Sequence, residues 1–437
     1  MIGTFIGKTI IFVEKLFKKN ASCFPGRVVL KLFPNYLKNI SYPENIIMVT
    51  GSSGKGSTVS LIKETLTKSG QKVVANQDGS NLLDAIATTV IKNVKKNKVP
   101  ADALVFEVDE RYMKYVTKHI KPKYVVITNI TRDQPPRQGS FEIVFNEIAK
   151  SLTDDIHLIV NGDDPILRKY SLIHKGKITY YGIAKTKYSY EKIDDVKDYE
   201  YCPKCHNKLE YTYYHYGCIG DYKCPKCDFK RDNISYEISN VDFNKDEITI
   251  QKHIISVNTN ILFNLYNIIT TYSVCDLLGV KKNIILSSLE ESKINKKIFD
   301  YYEINNRKYT ILNCKAENNA TYNLSLIYAA RDNERKVIVL GLREISRRYN
   351  HFDISWLYDI NFEILKDKNV DKYICAGPYA FDFATRLKYA GINETDIITL
   401  TDLTYIKDII ENQTKGDIYG ILNFDYVEPF VTKITEE

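Results

Sequence analysis

The chain has 437 residues, 12% of them aromatic and 26% charged, which is enough for about three domains of ordinary size and excludes wholesale disorder. Its formal net charge of +7 is mild and its lysines read as scattered, so the balance supports a nucleic-acid partner only weakly and anionic ligands equally well. Nine cysteines, four of them in two C-x-x-C pairs, point to metal binding rather than a disulfide framework.

The opening run Ile2–Val13 has the apolarity of a signal sequence, but Lys8 interrupts it and no small-residue cleavage site follows. An amphipathic helix ending near Lys19 is expected instead, with a second over Val28–Asn39 after the punctuation Phe24-Pro25-Gly26-Arg27. This helical segment is assigned residues 1–42. No run of about eighteen uncharged apolar residues occurs anywhere, so no spanning helix and a cytoplasmic location are expected.

A central domain follows over 43–298. Ile46-Ile47-Met48-Val49 is an apolar strand that stops at Thr50-Gly51-Ser52-Ser53-Gly54-Lys55-Gly56-Ser57-Thr58, after which Val59, Leu61, Ile62, Thr65 and Leu66 fall at helical spacing. Strand, glycine loop and helix in that order predict a phosphate cradle. The glycines let backbone N–H groups approach an anion, Lys55 supplies a point charge, and Ser57 and Thr58 offer hydroxyls to phosphate or Mg2+. The spacing departs from the full Walker pattern, with Val49 at the first glycine position and Gly56 after the lysine. Further strands are predicted at Lys72–Ala75, Ala103–Glu110, Tyr124–Asn129 and from His157, alternating with helices. That alternation implies a mostly parallel, doubly wound α/β sheet. Glu107, near a strand's C-terminal end, is the candidate Mg2+ ligand, with Ser80 as a possible further oxygen. An N-cap or salt-bridge role is the alternative for Glu107.

Between 199 and 232 the texture changes to Cys, Pro, Lys and Tyr without a helical period. Cys202-Pro-Lys-Cys205 and Cys224-Pro-Lys-Cys227 are separated by eighteen residues, the spacing of a four-thiolate zinc site. Saturated by four cysteines, such a metal is structural, and it closes a ribbon too small to hold a core of its own. His215 and Cys218 lie between the pairs as alternative ligands. The helical stretch Asn264–Leu278 resumes the central domain, and a third, α/β unit over 299–437 has strands at Val337–Leu340, Tyr373–Ala376 and Ile418–Leu422. Within it Asp353, ahead of Ile354-Ser355-Trp356, reads by composition as a helix N-cap.

The phosphate loop, Glu107-Val108-Asp109-Glu110, Asn129-Ile130-Thr131-Arg132-Asp133-Gln134 and Leu262–Asn267 together resemble the central domain of the Mur ligase family. With the four-cysteine insert, Asp353–Asp359 and Arg386–Gly391, the resemblance extends over nearly the whole chain to the family's amidating branch. It implies a Mur-ligase-like central P-loop domain with an inserted zinc ribbon, followed by a Rossmann-like α/β domain. The implied activity is ATP-dependent amidation of the α-carboxyl of D-glutamate in the lipid II stem peptide. An acyl phosphate would be attacked by ammonia from a class I glutamine amidotransferase subunit held as a heterodimer. Asp353 then matches the position of an aspartate that completes the glutaminase's Cys-His pair, and Asn267 the asparagine expected near the adenine. The implied cofactors are ATP, Mg2+ and structural Zn2+, with no nucleic acid and only peripheral contact with a membrane-bound substrate.

Several positions depart from the family pattern. Gly56 gives the loop the look of a folylpolyglutamate synthase, which keeps an amino-acid-adding ligase as the alternative enzyme. Gln134 stands where amino-acid-adding ligases carry a histidine and favours amidation. Leu342-Arg343-Glu344 and Asn313–Asn319 differ from the family's ribose and substrate loops. From a different class, a zinc-ribbon nucleic-acid-binding protein is permitted by the positive charge.

Overall fold

The structure, a computed structural model, describes residues 2–76, 80–131, 140–192, 199–257, 259, 261–292, 299–314, 318–345 and 353–436. They form two compact units, one built from residues 2–130, 141–192 and 199–292, the other dominated by the described residues from 299 onward.

In the first unit, helices α1 (Ile2–Leu16) and α2 (Phe24–Leu32) pack on α4 (Leu83–Asn93). The second helix begins four residues before the expected start, and Leu37–Asn39 is a separate 3-10 turn. Pro25 sits in the first turn of α2, where its missing N–H costs nothing. The residue before Pro34 is pushed out of helical geometry, which ends the helix. Gly26 allows a close crossing, since its N–H donates to Thr88 Oγ1 at 2.9 Å and a Cβ there would meet Asp84 O at 2.0 Å.

The first sheet runs from β2 (Val73–Ala75) through β3 (Ala103–Glu107), β1 (Asn45–Thr50), β4 (Tyr124–Ile127) and β5 (His157–Asn161) to β6 (Ile178–Ile183), all parallel. Strands β1, β3, β4 and β5 are near-continuous apolar runs because helices cover both faces of the sheet, while β6 mixes Tyr, Thr and Gly with its isoleucines. The order 2-3-1-4-5-6 switches direction at β1, which is where open α/β sheets place ligand chemistry. Helix α3 (Lys55–Lys68) leaves the loop that follows β1. Beyond β6 the sheet continues through β9 (Ile234–Asp242), β10 (Glu247–Ile250) and β11 (His253–Ser256), the last two joined antiparallel. No strand is expected there, because these half-exposed edge strands interleave Ser, Glu, Asn and Thr with their isoleucines. The predicted strand over Ala103–Glu110 stops at Glu107, so Asp109 and Glu110 lie in the turn beyond it.

The inserted segment holds a two-stranded hairpin, β7 (Glu210–Tyr216) and β8 (Ile219–Lys223). Helix α8 (Leu262–Leu277) is buried on nearly all sides and packs along α3. In the second unit β12 (Phe299–Ile304) and β13 (Arg307–Cys314) form a hairpin whose turn, Asn305-Asn306, has φ of 51° and 58°. Asparagine tolerates that left-handed pair, which matches strand twist. β17 (Asp417–Asn423), β14 (Lys336–Gly341), β15 (Val370–Ala376) and β16 (Ile397–Leu400) extend this sheet in parallel. Helix α10 (Asn319–Arg331) and helix α11 (Ala380–Tyr389) cover the second unit's sheet.

Candidate active site

The loop after β1 is held from behind. Ser52 N–H donates to Asn129 O at 2.9 Å, Ser53 N–H to Asn129 Oδ1 at 3.0 Å, and Thr128 Oγ1 donates to Ser53 O at 2.7 Å. Two glycines carry backbone that other residues resist: Gly51 at φ 128° and Gly54 at φ 81°. A Cβ on Gly54 would stand 2.6 Å from Asn267 Oδ1, so helix α8 presses directly on the start of α3. Asn267 Oδ1 also accepts from Thr58 Oγ1 at 3.2 Å, and both side chains are buried. Of the two hydroxyls read at the loop, Thr58 therefore turns inward, whereas Ser57 and Gly56 face solvent at the helix N-terminus.

Lys55 is buried and folded back on its own loop. Its Nζ donates to Gly51 O, to Ser52 O at 3.3 Å and to Glu110 Oε2 at 3.1 Å. Glu110 is the partner that the sequence pattern did not reveal. It lies 55 residues away, and the expected strand continuation through Glu110 concealed that it turns toward the loop.

Glu107 closes the arrangement on the other side. Its backbone pairs with Asn76, N–H to Oδ1 at 2.8 Å and O from Nδ2 at 2.9 Å, while Asn81 Nδ2 donates to its Oε1 at 3.1 Å. The second carboxylate oxygen lies over Gly56, 3.2 Å from where a Cβ would stand. A side chain at 56 would require that carboxylate to give by a few tenths of an ångström. Ser80 adjoins this group, its backbone O accepting from Asn76 Nδ2 at 3.1 Å. Lysine, carboxylate and helix N-terminus thus converge, an arrangement able to bind an anion and a hard cation together. Gln134, Lys315, Glu317 and His351 lie outside the described residues.

In the insert, the four sulfurs of Cys202, Cys205, Cys224 and Cys227 lie within 4.8 Å of one another. The Cys202–Cys227, Cys205–Cys224 and Cys205–Cys227 separations are 3.5, 3.3 and 3.6 Å. A tetrahedral site with metal–sulfur bonds of about 2.3 Å needs edges of about 3.8 Å, so the cluster fits such a metal. Each pair is a knuckle of the same build: Lys204 N–H points at Cys202 Sγ and Lys226 N–H at Cys224 Sγ, both at 3.4 Å. Within the cluster the Asn207 backbone N–H and side-chain amide pull the Cys205 thiol down to about 6, whereas burial pushes the Cys202 thiol up to about 12. His215 and Cys218 are not in the cluster. The His215 ring nitrogens engage Ile183 O at 3.0 Å and Ser189 Oγ at 3.2 Å.

The insert is fastened to the sheet by Asp163, fully buried after β5. Its Oδ1 accepts from Arg231 Nε at 2.7 Å, and its Oδ2 from Ile183 N–H at 2.7 Å and Tyr266 OH at 2.8 Å. Its carbonyl takes Gly220 N–H of β8 at 3.0 Å, and Tyr222 OH reaches Gly162 O at 3.1 Å. One carboxylate thus joins the insert, strand β6 and helix α8 one residue before Asn267. Nothing in the local pattern singled it out.

In the second unit Asp353 is exposed at the head of a 3-10 turn, Ser355–Asp359, its Oδ1 accepting from Ser355 N–H at 2.9 Å. The turn is anchored by buried Trp356, packed on Tyr322, and by buried Arg386. That guanidinium donates to Leu357 O, Ile360 O and Glu363 Oε2 at 3.2, 2.6 and 2.8 Å. Asp353 is thus a carboxylate presented on a pinned backbone.

Comparison with known proteins places this geometry. The profile of the Mur ligase middle domain matches residues 49–275, and that of the MurT ligase C-terminal region matches 316–425. The lipid II isoglutaminyl synthase (glutamine-hydrolyzing) subunit MurT of Staphylococcus aureus (strain COL) is 30% identical over 422 residues, 95% of this chain and 93% of that protein. The protein of the same name from Streptococcus pneumoniae (strain ATCC BAA-255 / R6) is 25% identical, covering 97% and 94%. Among solved structures, a pseudomurein peptide ligase type C from Methanothermus fervidus aligns with a TM-score of 0.69 at 21% identity, covering 90% of this chain and 79% of that one. MurF ligase from Thermotoga maritima in complex with ADP aligns at 0.60 and 18%, covering 94% and 83%. The middle-domain profile spans more than half of the sequence and the staphylococcal relative matches nearly end to end, so the chain belongs to the MurT family of Mur-ligase-fold proteins.

Proposed function

We infer that this chain is the ATP-dependent amidating subunit of a lipid II isoglutaminyl synthase. It converts the α-carboxyl of D-glutamate in the stem peptide to the amide of D-isoglutamine, a step in peptidoglycan biosynthesis. The observation that carries the reading is the convergence of Lys55 and Glu107 on the N-terminus of α3, in a chain matched nearly end to end by MurT proteins. A carboxylate is a poor electrophile, and phosphorylation by ATP makes it an acyl phosphate that ammonia can attack, expelling phosphate. On nucleotide binding, Lys55 exchanges its contacts with the loop carbonyls and Glu110 for phosphate oxygens. Gly51, Ser53, Gly54, Gly56 and Ser57 line the cradle, and Thr58 and Asn267 support it from behind. Glu107, with Ser80, would hold Mg2+, which supplies charge neutralisation on the transferring phosphoryl group.

Ammonia comes from a class I glutamine amidotransferase subunit bound as a heterodimer, and Asp353 serves as the third member of its triad by orienting the histidine. The reaction runs on the cytoplasmic side. In the reconstituted pair, Asp353→Asn is expected to abolish glutamine-dependent amidation, by about 10³-fold or more, and to leave amidation from an ammonium salt within about twofold of wild type. Equal loss of both activities, or amino-acid addition in place of amidation, overturns the reading.

The four cysteines hold a structural Zn2+. Purified protein is expected to carry about one zinc per chain by elemental analysis, and Cys202→Ser with Cys224→Ser to carry almost none. Because a ribbon of this size has little core beyond its cluster, the variant becomes protease-sensitive between 199 and 232. A metal-free wild type with a protease-resistant insert refutes this.

A further inference from the structure

The packing of α1 is inside out. Its buried stripe is Gly3, Gly7 and Ile11, and a Cβ on Gly7 would lie 2.8 Å from Ile91 Cγ2. Its large apolar side chains face solvent instead: Ile2, Phe5, Phe12 and Leu16 are 63–73% exposed, Phe17 just beyond the helix is 72% exposed, and Leu32 of α2 is 57% exposed. A helix that served only to cover the body would turn these inward. A contiguous outward patch of this kind marks an interaction surface.

Charge identifies what the patch meets. Residues 1–40 contain seven basic side chains and one acidic, and so carry six of the chain's seven net positive charges. The lysines are therefore not scattered in their net effect, and the remainder of the chain is nearly balanced. Lys15, Lys18, Lys19 and Lys31 are exposed around the apolar face, while Lys8 turns to the body and donates to Val94 O at 2.8 Å. At 15 residues the helix is about 22 Å long, short of the roughly 30 Å hydrocarbon thickness, and no described helix is long and apolar enough to cross a membrane. An apolar face bordered by lysines, on a helix too short to span, has the build of a segment lying in a headgroup layer.

We propose that α1 docks the protein on an anionic membrane surface, with Phe5, Phe12 and Leu16 entering the headgroup region and the neighbouring lysines pairing with lipid phosphates. The proposal rests on this helix and its charge alone, independently of the reaction inferred above. Docking on the membrane would hold the enzyme beside a substrate that carries a lipid.

The test is sedimentation of the full chain with vesicles of equimolar phosphatidylglycerol and phosphatidylcholine, against phosphatidylcholine alone. Wild type is expected to bind the anionic vesicles at least about fivefold better. Phe5→Ser/Phe12→Ser/Leu16→Ser and Lys15→Glu/Lys18→Glu/Lys19→Glu should each reduce binding about tenfold. Because these side chains are exposed, neither variant should shift the thermal midpoint. A Phe12→Trp variant should blue-shift its emission on vesicle addition, against a constant background from buried Trp356, the sole native tryptophan. Absent binding by wild type, or undiminished binding by the serine variant, overturns the proposal. So does a serine variant whose only change is a smaller mass by light scattering, which would mark the face as a contact between copies of the chain.

Discussion

Lys55→Ala is expected to lower the rate of ATP-dependent amidation by about 10³-fold with saturating ammonium salt, the scale on which one preorganised cationic donor to a transferring phosphoryl group contributes. The structure also assigns Lys55 a second consequence. It faces Glu110 within a buried pair, and removing one member of such a pair costs about 3–5 kcal/mol because the other stays behind as a buried charge. Lys55→Ala alone therefore confounds lost chemistry with lost stability. Lys55→Ala/Glu110→Gln separates them, since removing both charges should restore most of the thermal midpoint while leaving the rate as low as in the single variant. Recovery of activity in the double variant would show that Lys55 acts through the fold rather than on the phosphates. Full thermal stability in the single variant would show that the ion pair contributes little.

The second large effect is expected at a residue remote from the chemistry. Asp163→Ala removes the acceptor of Arg231, Ile183 N–H and Tyr266 OH at once. The guanidinium keeps Glu237, at 2.8 Å, but loses its buried partner. A destabilisation of about 3–5 kcal/mol follows, equivalent to a fall of about 10 °C in the melting temperature of a unit this large. Tyr266→Phe, which removes a single hydroxyl, should cost only about 1 kcal/mol. Zinc content should be unchanged in both, because the cysteine knuckles are built from hydrogen bonds within the insert. A melting temperature within about 2 °C of wild type in Asp163→Ala would exclude the aspartate as the fastening point. Loss of zinc would mean that the insert folds only when docked.

How far these features were legible in the sequence depended on their range. The strand, loop and helix around Lys55 could be read because the hydrophobic period changes from two to 3.6 across a few residues, with glycines at the turn. The two cysteine knuckles could be read because each is complete within four residues. Most of the central strands are legible as apolar runs, whereas the buried strands β6 and β13 are not, because Thr, Tyr, Gly and Lys interrupt them. By contrast, the antiparallel extension from Ile234 to Ser256 is not legible because an edge strand with one wet face dilutes its own pattern. The start of α2 lies ahead of the expected one because Pro25, a break within a helix, is a favourable beginning in a first helical turn.

The chemistry the chain can perform was thus determined locally: a phosphate loop with one lysine, a carboxylate at a strand end, four thiols in two pairs, and an aspartate ahead of an aromatic turn. What only the tertiary structure decided was which of these groups meet. Glu110 reaches Lys55 across 55 residues and Asn267 reaches Thr58 across 209. Glu107 lies over Gly56, Asp163 gathers three elements, and the glycines of α1 face inward so that its phenylalanines face out. Such pairings depend on the distance between side chains in space. Local residue patterns record propensity and period, whereas chain crossings bring distant groups within the three to four ångströms over which they interact.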